Sequence, residues 1–519
     1  MKTDRIRMPS LLGKVTTADD AAQLVRDGMV VGLSGFTKFG DARAVPRALV
    51  RRAQSGEKFG IFLMTGASLG SDIDEDLGDA GVILRRLPYQ GSPKLRTHIN
   101  AGRVMYTDQH LSHTGEYMRG NHLPRPDIAI IDATLIDEDG GIVCTTSVGN
   151  NALYALNADR IIVEINETHP LGMRGLHDIY MPETRPGRTP IPLTHPGGRI
   201  GSASIPVDPE KIAAIVIHQM GDTPSILADA DGETDAIAGH LIEFFMHEVK
   251  KGRMAQSLLP LQSGVGAVAN AVLKGFLDSP FSGLSMFTEV AQDTVLDLLD
   301  AGKMDVVSTS SVSLSQPYLD RLHRDVDTLR GKLVLRPQEI SNHPELIRRL
   351  GVIATNTAIE FDIYGNVNST HVMGRNIMNG IGGAGDFARN AAYTVFVTKS
   401  CAKGGALSSV VPMVTHHDHT EHDVDILVTE QGLADLRGLA PRERARTIIE
   451  NTAHPAYREV LLDYAREARR KGGHTPHVLA RAFALHDRFE RTGSMLGQPP
   501  RTDEKSIIVE IAPSGRSGH

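Results

Sequence analysis

Short, nearly unbroken apolar runs recur along the chain, and the stretches between them are long enough and polar enough to form helices. Met29-Val30-Val31-Gly32-Leu33 is the first run; it closes on Ser34-Gly35-Phe36, and Ala44 to Ala53 then reads as a helix. Phe62 to Met64, Ile128 to Ile131 and Ile161 to Val163 follow as strands of the first half. Leu258 to Leu261, Leu284 to Phe287, Val352 to Ala354, Val395 to Val397 and Ile426 to Val428 continue the pattern in the second. Strands alternating with helices predict an α/β fold built on parallel sheets.

The two halves share landmarks in the same order. The first runs from a strand into Ser34-Gly35, then Met64-Thr65-Gly66, then Asp137-Glu138-Asp139-Gly140-Gly141-Ile142. The second runs from a strand into Ser263-Gly264, then Phe287-Thr288-Glu289, then Asp362-Ile363-Tyr364-Gly365-Asn366-Val367. The D-x-x-G-x-(Ile/Val) step suits a hairpin turn whose glycine supplies φ > 0. Together they point to an internal duplication in which Gly66 of one half stands where the other has Glu289. A chain of 519 residues exceeds what one compact core accommodates, and we read two domains, 1–225 and 226–519. Their linker is expected in the polar stretch Gln219 to Asp235. The tail from Gly497, rich in Pro, Gly and Ser, is expected to hug the surface or stay unstructured.

Composition narrows the function. A net charge of −7 disfavours nucleic acid as a partner. Two cysteines, Cys144 and Cys401, far apart and outside any C-x-x-C spacing, support neither a disulfide framework nor a cysteine zinc site. No apolar run approaches the ~20 residues that span a bilayer, so no membrane partner is expected. The start, Met1 to Leu12, has no apolar signal-like core and reads as that of a cytoplasmic protein.

Candidate chemistry collects in the second half. Leu261-Gln262-Ser263-Gly264-Val265-Gly266 leads into an Ala/Val-rich helix; its backbone N–H groups could hold an anion, although many Gly-x-Gly turns serve geometry alone. It lacks the Gly-Lys-Ser/Thr of a P-loop and the third glycine of a dinucleotide fingerprint. Ser285 to Asp293 places Glu289 where an apolar strand ends and a helix is expected to begin, which suits either a ligand site or a carboxylate favoured by the helix dipole. Gly380-Ile381-Gly382-Gly383-Ala384-Gly385-Asp386, after Asn379, permits close approach of backbone to a ligand. Lys403 beside Gly404-Gly405 could meet a phosphate or carboxylate. His416, His417, His419 and His422 fit neither H-E-x-x-H nor a zinc-finger spacing and read as a polar turn; no metal site is expected.

These residues make the chain resemble the acetyl-CoA hydrolase/transferase family, and within it bacterial succinyl-CoA:acetate and propionyl-CoA:succinate CoA-transferases. The resemblance covers nearly the whole chain. It rests on Ser34 to Thr37, Gly40 to Pro46, Phe287-Thr288-Glu289-Val290, Glu339 to Pro344, Tyr364 to His371, the 380–387 glycine loop and Val428-Thr429-Glu430-Gln431-Gly432. It implies two tandem CoA-transferase domains with the site between them, in a homodimer, and coenzyme A as a substrate rather than a resident cofactor. It makes Glu289 the nucleophile that becomes a glutamyl-CoA thioester. It lays Gln262, Ser263, Gly264, Val265, Gly266, Asn379, Gly383 and Lys403 along the CoA. It assigns carboxylate binding and oxyanion stabilisation to Asn342 and the Gly383 amide, and an active-site place to Glu430. The implied reaction moves CoA between acetyl-, propionyl- or succinyl-CoA and a small carboxylate. A glutamate of ordinary pKa would be ionised at neutral pH and need no general base. An acyl-CoA hydrolase using the same site, and a non-catalytic CoA-binding protein, are the alternatives.

Overall fold

A computed structural model of the protein describes residues 3–226 and 231–496. Seven strands of the first half form one sheet: β1 (Val30–Leu33), β2 (Ile61–Met64), β3 (Ile83–Leu87), β4 (Met105–Tyr106), β5 (Ile128–Ala133), β6 (Arg160–Asn166) and β7 (Ile212–His218). Eight strands of the second half form another: β8 (Leu261–Ser263), β9 (Leu284–Phe287), β10 (Met304–Thr309), β11 (Leu333–Leu335), β12 (Ile353–Thr357), β13 (Tyr393–Val397), β14 (Ile426–Thr429) and β15 (Gly432–Asp435). The first sheet runs β4-β3-β2-β1-β5-β6-β7 and the second β11-β10-β9-β8-β12-β13-β14-β15. The seven strands of the first order match the first seven of the second, which adds β15, and every pair is parallel except the terminal β14–β15 hairpin. β5 is buried along its whole length, as a parallel strand covered by helices on both faces must be.

The shared landmarks fall at equivalent places. Gly66 lies two residues beyond β2, and Glu289 two beyond β9. In each half the D-x-x-G step closes a small hairpin. The Asp137 side chain accepts from the Asp139 and Gly141 N–H groups, and Asp362 from those of Tyr364 and Asn366. Gly140 and Gly365 both take positive φ, 83° and 98°. Duplication of sequence is thus duplication of fold.

One expected strand is displaced. Leu258 has φ 56° and Pro260 has no N–H, so the run Leu258–Leu261 cannot pair along its length. The strand starts at Leu261 and extends through Gln262 and Ser263, which puts these two polar residues in the sheet. Of the expected linker, Gln219 to Ile226 leaves the first sheet and a capping box at Asp231 and Thr234 opens the helix Gly232–Lys250. Residues 227–230 and the tail from Gly497 lie outside the described residues. Among those described, no helix is long and apolar enough to cross a membrane.

The halves pack against each other through one continuous apolar cluster that includes Met64 and Val148 of the first and Met286 and Val312 of the second. Polar links register them. The Ser311 hydroxyl donates to Phe36 O (2.9 Å), Val148 N–H to Ser310 O (2.9 Å) and Gln338 N–H to Gly149 O (2.9 Å). Arg336, fully buried beyond β11, pairs with Asp178 of the first half and also donates to Ser308 Oγ (2.8 Å) and Pro196 O (3.1 Å). Arg336→Ala would strand the Asp178 carboxylate without its cation, so we expect a loss of about 3–5 kcal/mol in urea unfolding monitored by circular dichroism.

Candidate functional site

In each sheet the strand order reverses beside the first strand, where the loops leaving neighbouring strands part and open a crevice. In the second sheet that point lies between β8 and β12. A cleft opens there, lined by Ser263 at the end of β8 with Gly264 and Val265 after it, Asn356 and Thr357 at the end of β12, Glu289 after β9, and Asn379 to Ala384. The first half closes it with Phe36, Thr37, Ala67, Tyr89 and Leu111. Phe36, Ala67, Leu111 and Val290 make a small apolar cluster, with Tyr89 packed on it.

Glu289 is fixed through its backbone. Its carbonyl accepts from the Thr309 hydroxyl (2.8 Å) and from the Ser310 and Ser311 N–H groups (3.0 Å each). Thr288 N–H donates to Ser308 O (2.9 Å). The helix expected to begin at Glu289 does not: a second short strand, Val290–Gln292, intervenes and the helix starts at Asp293, which is the acid in its first turn. The dipole explanation of Glu289 therefore fails. Burial pushes its carboxyl up to about 7, against the opposing pull of the Asn342 amide. This corrects the expectation of a glutamate with an ordinary carboxyl pKa.

Asn342 follows the short helix Gln338–Ser341 and is wholly buried. Neither its side-chain oxygen nor its nitrogen completes a hydrogen bond of good geometry, an unusual state for a buried amide. Arg119 of the first half clamps Glu339 on that helix, one bond at 3.0 Å, which holds Asn342 toward the cleft. A Cβ built on Gly383 would overlap both Glu289 Oε1 and Asn342 Nδ2. The three residues therefore converge on one point. Gly383 itself has φ −89° and ψ −4°, open to any residue; glycine is needed for space rather than for an unusual backbone. The counterpart Gly66 has no room for a side chain: a Cβ there would lie 2.6 Å from Gly35 O and 3.2 Å from Gln338 Oε1.

The remaining expected residues divide. Gln262 exchanges amide bonds with Asn356 (3.2 Å each way), stiffening the floor of the cleft. Ser263, Gly264 and Val265 line it, whereas Gly266 N–H is taken by Gln292 Oε1 (3.3 Å) and is not offered to a ligand. Asn379 lines the cleft, with its backbone oxygen held by Tyr106 (3.0 Å) and its side-chain oxygen unpartnered. Lys403 lies outside the cleft lining, at the exposed turn of the Cys401–Ser408 hairpin, its Nζ 5.0 Å from the centre of the Phe489 ring. Glu430 is also outside the cleft lining. It accepts from Ser400 N–H (2.8 Å), the Ser400 hydroxyl and the Gln431 amide (3.0 Å), so its carboxylate is already occupied in bracing a hairpin. In the histidine run, His416 stacks on His371 (3.8 Å between centroids) and His419 bonds Ser369. The described cluster with ligand-like geometry is instead Asp132, Glu164 and His218. Its carboxylates receive His218 and, on Glu164, the N–H groups of Arg43, Ala44 and Val45 (2.7–2.8 Å). These donors make it a buried charge network capping the Ala44–Gln54 helix.

Sequence reasoning missed the first-half segment 108–112, which grips the glycine loop. Asp108 accepts from Ile381 N–H (2.9 Å), Leu111 N–H donates to Gly382 O (3.3 Å), and Ser112 bonds Asp386. No spacing rule links these residues to a loop some 270 positions away. Only the packing of the halves brings them together.

Gly383→Ala should cut activity by about 10²–10³-fold with circular dichroism and melting temperature little changed, because the methyl group intrudes between Glu289 and Asn342. Glu289 also carries a stability signature. Its folded pKa, about 7, exceeds the ordinary carboxyl value of 4.5. Its favourable contribution is therefore complete below the ordinary value and lost as pH rises through about 7, a change of about 3 kcal/mol. Glu289→Gln should accordingly raise the denaturant midpoint at pH above 7 and bring little gain near pH 4.

Residues 3–217 match the acetyl-CoA hydrolase/transferase N-terminal domain, and residues 319–465 the C-terminal domain of the same family. A protein named succinyl-CoA:acetate CoA-transferase from Clostridium kluyveri is 51% identical over 95% of this chain and 92% of its own. An acetyl-CoA hydrolase of Candida glabrata is 43% identical over 95% and 97%. In fold, the chain is similar to a 4-hydroxybutyrate CoA-transferase from Porphyromonas gingivalis, with a TM-score of 0.62 at 20% identity, covering 89% of this chain and 99% of that one. Paired domain matches over most of the length, on a duplicated sheet with one cleft built around Glu289, establish that this chain is an enzyme of the acetyl-CoA hydrolase/transferase family.

Proposed function

We propose that the chain is a CoA-transferase that moves CoA between a short acyl-CoA and a small carboxylate by way of a thioester on Glu289. The observation that carries this reading is the convergence of a buried carboxyl, an unpartnered amide at Asn342 and the Cβ-free Gly383 on one point of the cleft. The Clostridium kluyveri relative, named for succinyl-CoA and acetate, supports those acids as substrates here.

The ionised Glu289 attacks the thioester carbonyl of the bound acyl-CoA. The tetrahedral oxyanion collapses to an acyl-glutamyl anhydride and expels CoA thiolate. The thiolate then attacks the glutamyl carbonyl, releasing the first acid and leaving glutamyl-CoA. A second carboxylate reverses these steps. Each oxyanion needs preorganised donors; this reading gives that work to the Asn342 amide and the Gly383 N–H, and the crowding of Glu289 and Asn342 around Gly383 supports it. Desolvation makes the carboxylate a better nucleophile once it is ionised, and the apolar wall of Phe36, Ala67, Leu111 and Val290 keeps water from the thioester.

The relative named acetyl-CoA hydrolase favours a second reading, in which water replaces the acceptor acid at the same glutamyl thioester. Incubation with acetyl-CoA, with and without succinate, separates the two: acid-dependent CoA transfer supports the first, and CoA release indifferent to added acid the second. Acyl-CoA without acceptor should also leave CoA bound to the enzyme. Borohydride should then inactivate only protein pre-exposed to acyl-CoA, with peptide mapping placing the reduced side chain at residue 289. Glu289→Ala should abolish the adduct, and Glu289→Asp, about 1 Å short of reach, should lose at least 10²-fold. An adduct at Cys144 or Cys401 would refute the mechanism.

A further inference from the structure

On the cleft wall Ser369 carries a hydroxyl that the transfer chemistry does not use. Asn368 builds the turn that presents it. Its side-chain oxygen accepts from Thr370 N–H (3.2 Å) and His371 N–H (2.9 Å), and its amide donates to Glu360 (3.0 Å). Val367 N–H donates to His419 O (2.8 Å) and His419 N–H to Val367 O (3.1 Å), so His419 is held beside that turn. The His419 ring is buried against Phe396 (4.6 Å between centroids), and its Nε2 lies 3.2 Å from Ser369 Oγ.

These contacts assign the protons. Burial lowers the pKa of His419, so the neutral ring carries a single N–H. Nδ1 meets no hydrogen-bond partner among the described residues. A proton there would be a buried donor without an acceptor, whereas a proton on Nε2 is directed at Ser369 Oγ. The hydroxyl therefore accepts from His419. Asp418 is a poor rival for its hydrogen. The nearer carboxylate oxygen lies 3.4 Å from Ser369 Oγ, already takes Ser369 N–H (2.7 Å) and has the Thr370 hydroxyl at 2.8 Å. Ser369 O–H is left free to donate into the cleft.

A complementary group stands across from it. The hairpin pairs His371 with Ile377 and Val372 with Asn376, and Met378 N–H continues the ladder to Thr370 O (2.7 Å). One step further, that register sets Ser369 opposite Asn379. Opposed residues of an antiparallel pair hold their Cβ atoms about 5 Å apart on one face. Both residues line the cleft, and the Asn379 side-chain oxygen is buried without a partner. The wall thus offers one donor and one acceptor side by side. A secondary amide is their complement, its carbonyl meeting the hydroxyl and its N–H the Asn379 oxygen. The pantetheine arm of CoA contains such amides, and the small acids contain none.

Resting on the reading of the chain as an enzyme that binds acyl-CoA, we propose that Ser369 and Asn379 clamp an amide of the pantetheine arm, with His419 as the positioning residue that turns the Ser369 hydroxyl toward it. The test is calorimetric binding of CoA to the full-length protein. Ser369→Ala removes one neutral donor and should weaken CoA about 3–10-fold. Two fragments locate the contact. Pantetheine, which keeps the amides, should weaken by the same factor. Adenosine bisphosphate, the phosphate-bearing end of CoA, should bind wild type and variant alike. His419→Leu should match Ser369→Ala and add nothing to it in the double variant. His419→Gln, whose amide N–H can reach the same hydroxyl, should restore most of the affinity. Should His419→Leu fail to fold, the Ser369→Ala titrations with CoA and its fragments still decide. Equal CoA affinity in wild type and Ser369→Ala overturns the proposal, and so does a loss seen with adenosine bisphosphate but not with pantetheine. Strictly additive losses at Ser369 and His419 overturn the positioning role. CoA that binds neither protein overturns instead the reading on which the proposal rests.

Discussion

Desolvation of one carboxyl organises this structure. Glu289 hangs from a backbone carbonyl held by three donors, in a pocket closed by the other half of the chain, with no cation among the described residues that line it. Everything around it either excludes water or brings a dipole to bear: the Phe36–Val290 cluster on one side, Asn342 and the Gly383 backbone on the other. A buried acid with no countercharge costs stability, and a fold optimised for stability alone would not keep it. Two halves that bury a common apolar core offset that cost.

The duplication explains how one chain supplies both a reactive group and its enclosure. Both sheets reverse strand order beside their first strand, so both have a crevice at the same place. In the first half, buried charges surround that crevice: Asp132, Glu164 and His218, with Arg43 and its neighbours donating to Glu164. The position equivalent to Glu289 there is Gly66. In the second half the crevice is open and Glu289 points into it. The first half then reaches across with segment 108–112 to hold the glycine loop, and with Arg119 to hold the Asn342 helix.

Much of this was legible from residue types. Apolar runs located the strands, and the D-x-x-G steps located two hairpins because a turn at that spacing needs a glycine at positive φ. The exceptions have local physical causes. Leu258–Leu261 failed as a strand because of Pro260 and the positive φ of Leu258. Gly383, expected from the glycine loop to allow close approach to a ligand, has an ordinary backbone, and what requires glycine there is the space in front of Glu289. Lys403 and Glu430 lie outside the lining of the cleft, Lys403 over the Phe489 ring and Glu430 bonded to Ser400 and Gln431, contacts that their motifs do not encode.

The sequence by itself determined the strand–helix alternation, the duplicated plan and the asymmetry between Gly66 and Glu289, because each depends on residues close together in the chain or repeated at a fixed interval. Tertiary structure alone decided which polar groups meet. Asp108 with Ile381, Ser112 with Asp386 and Arg119 with Glu339 are separated by more than 200 residues, and no periodicity couples them. It also decided the charge state of Glu289. A carboxyl moves from the ordinary range to about 7 only when packing from both halves removes its water, and solvation is a property of the assembled cleft rather than of any stretch of sequence.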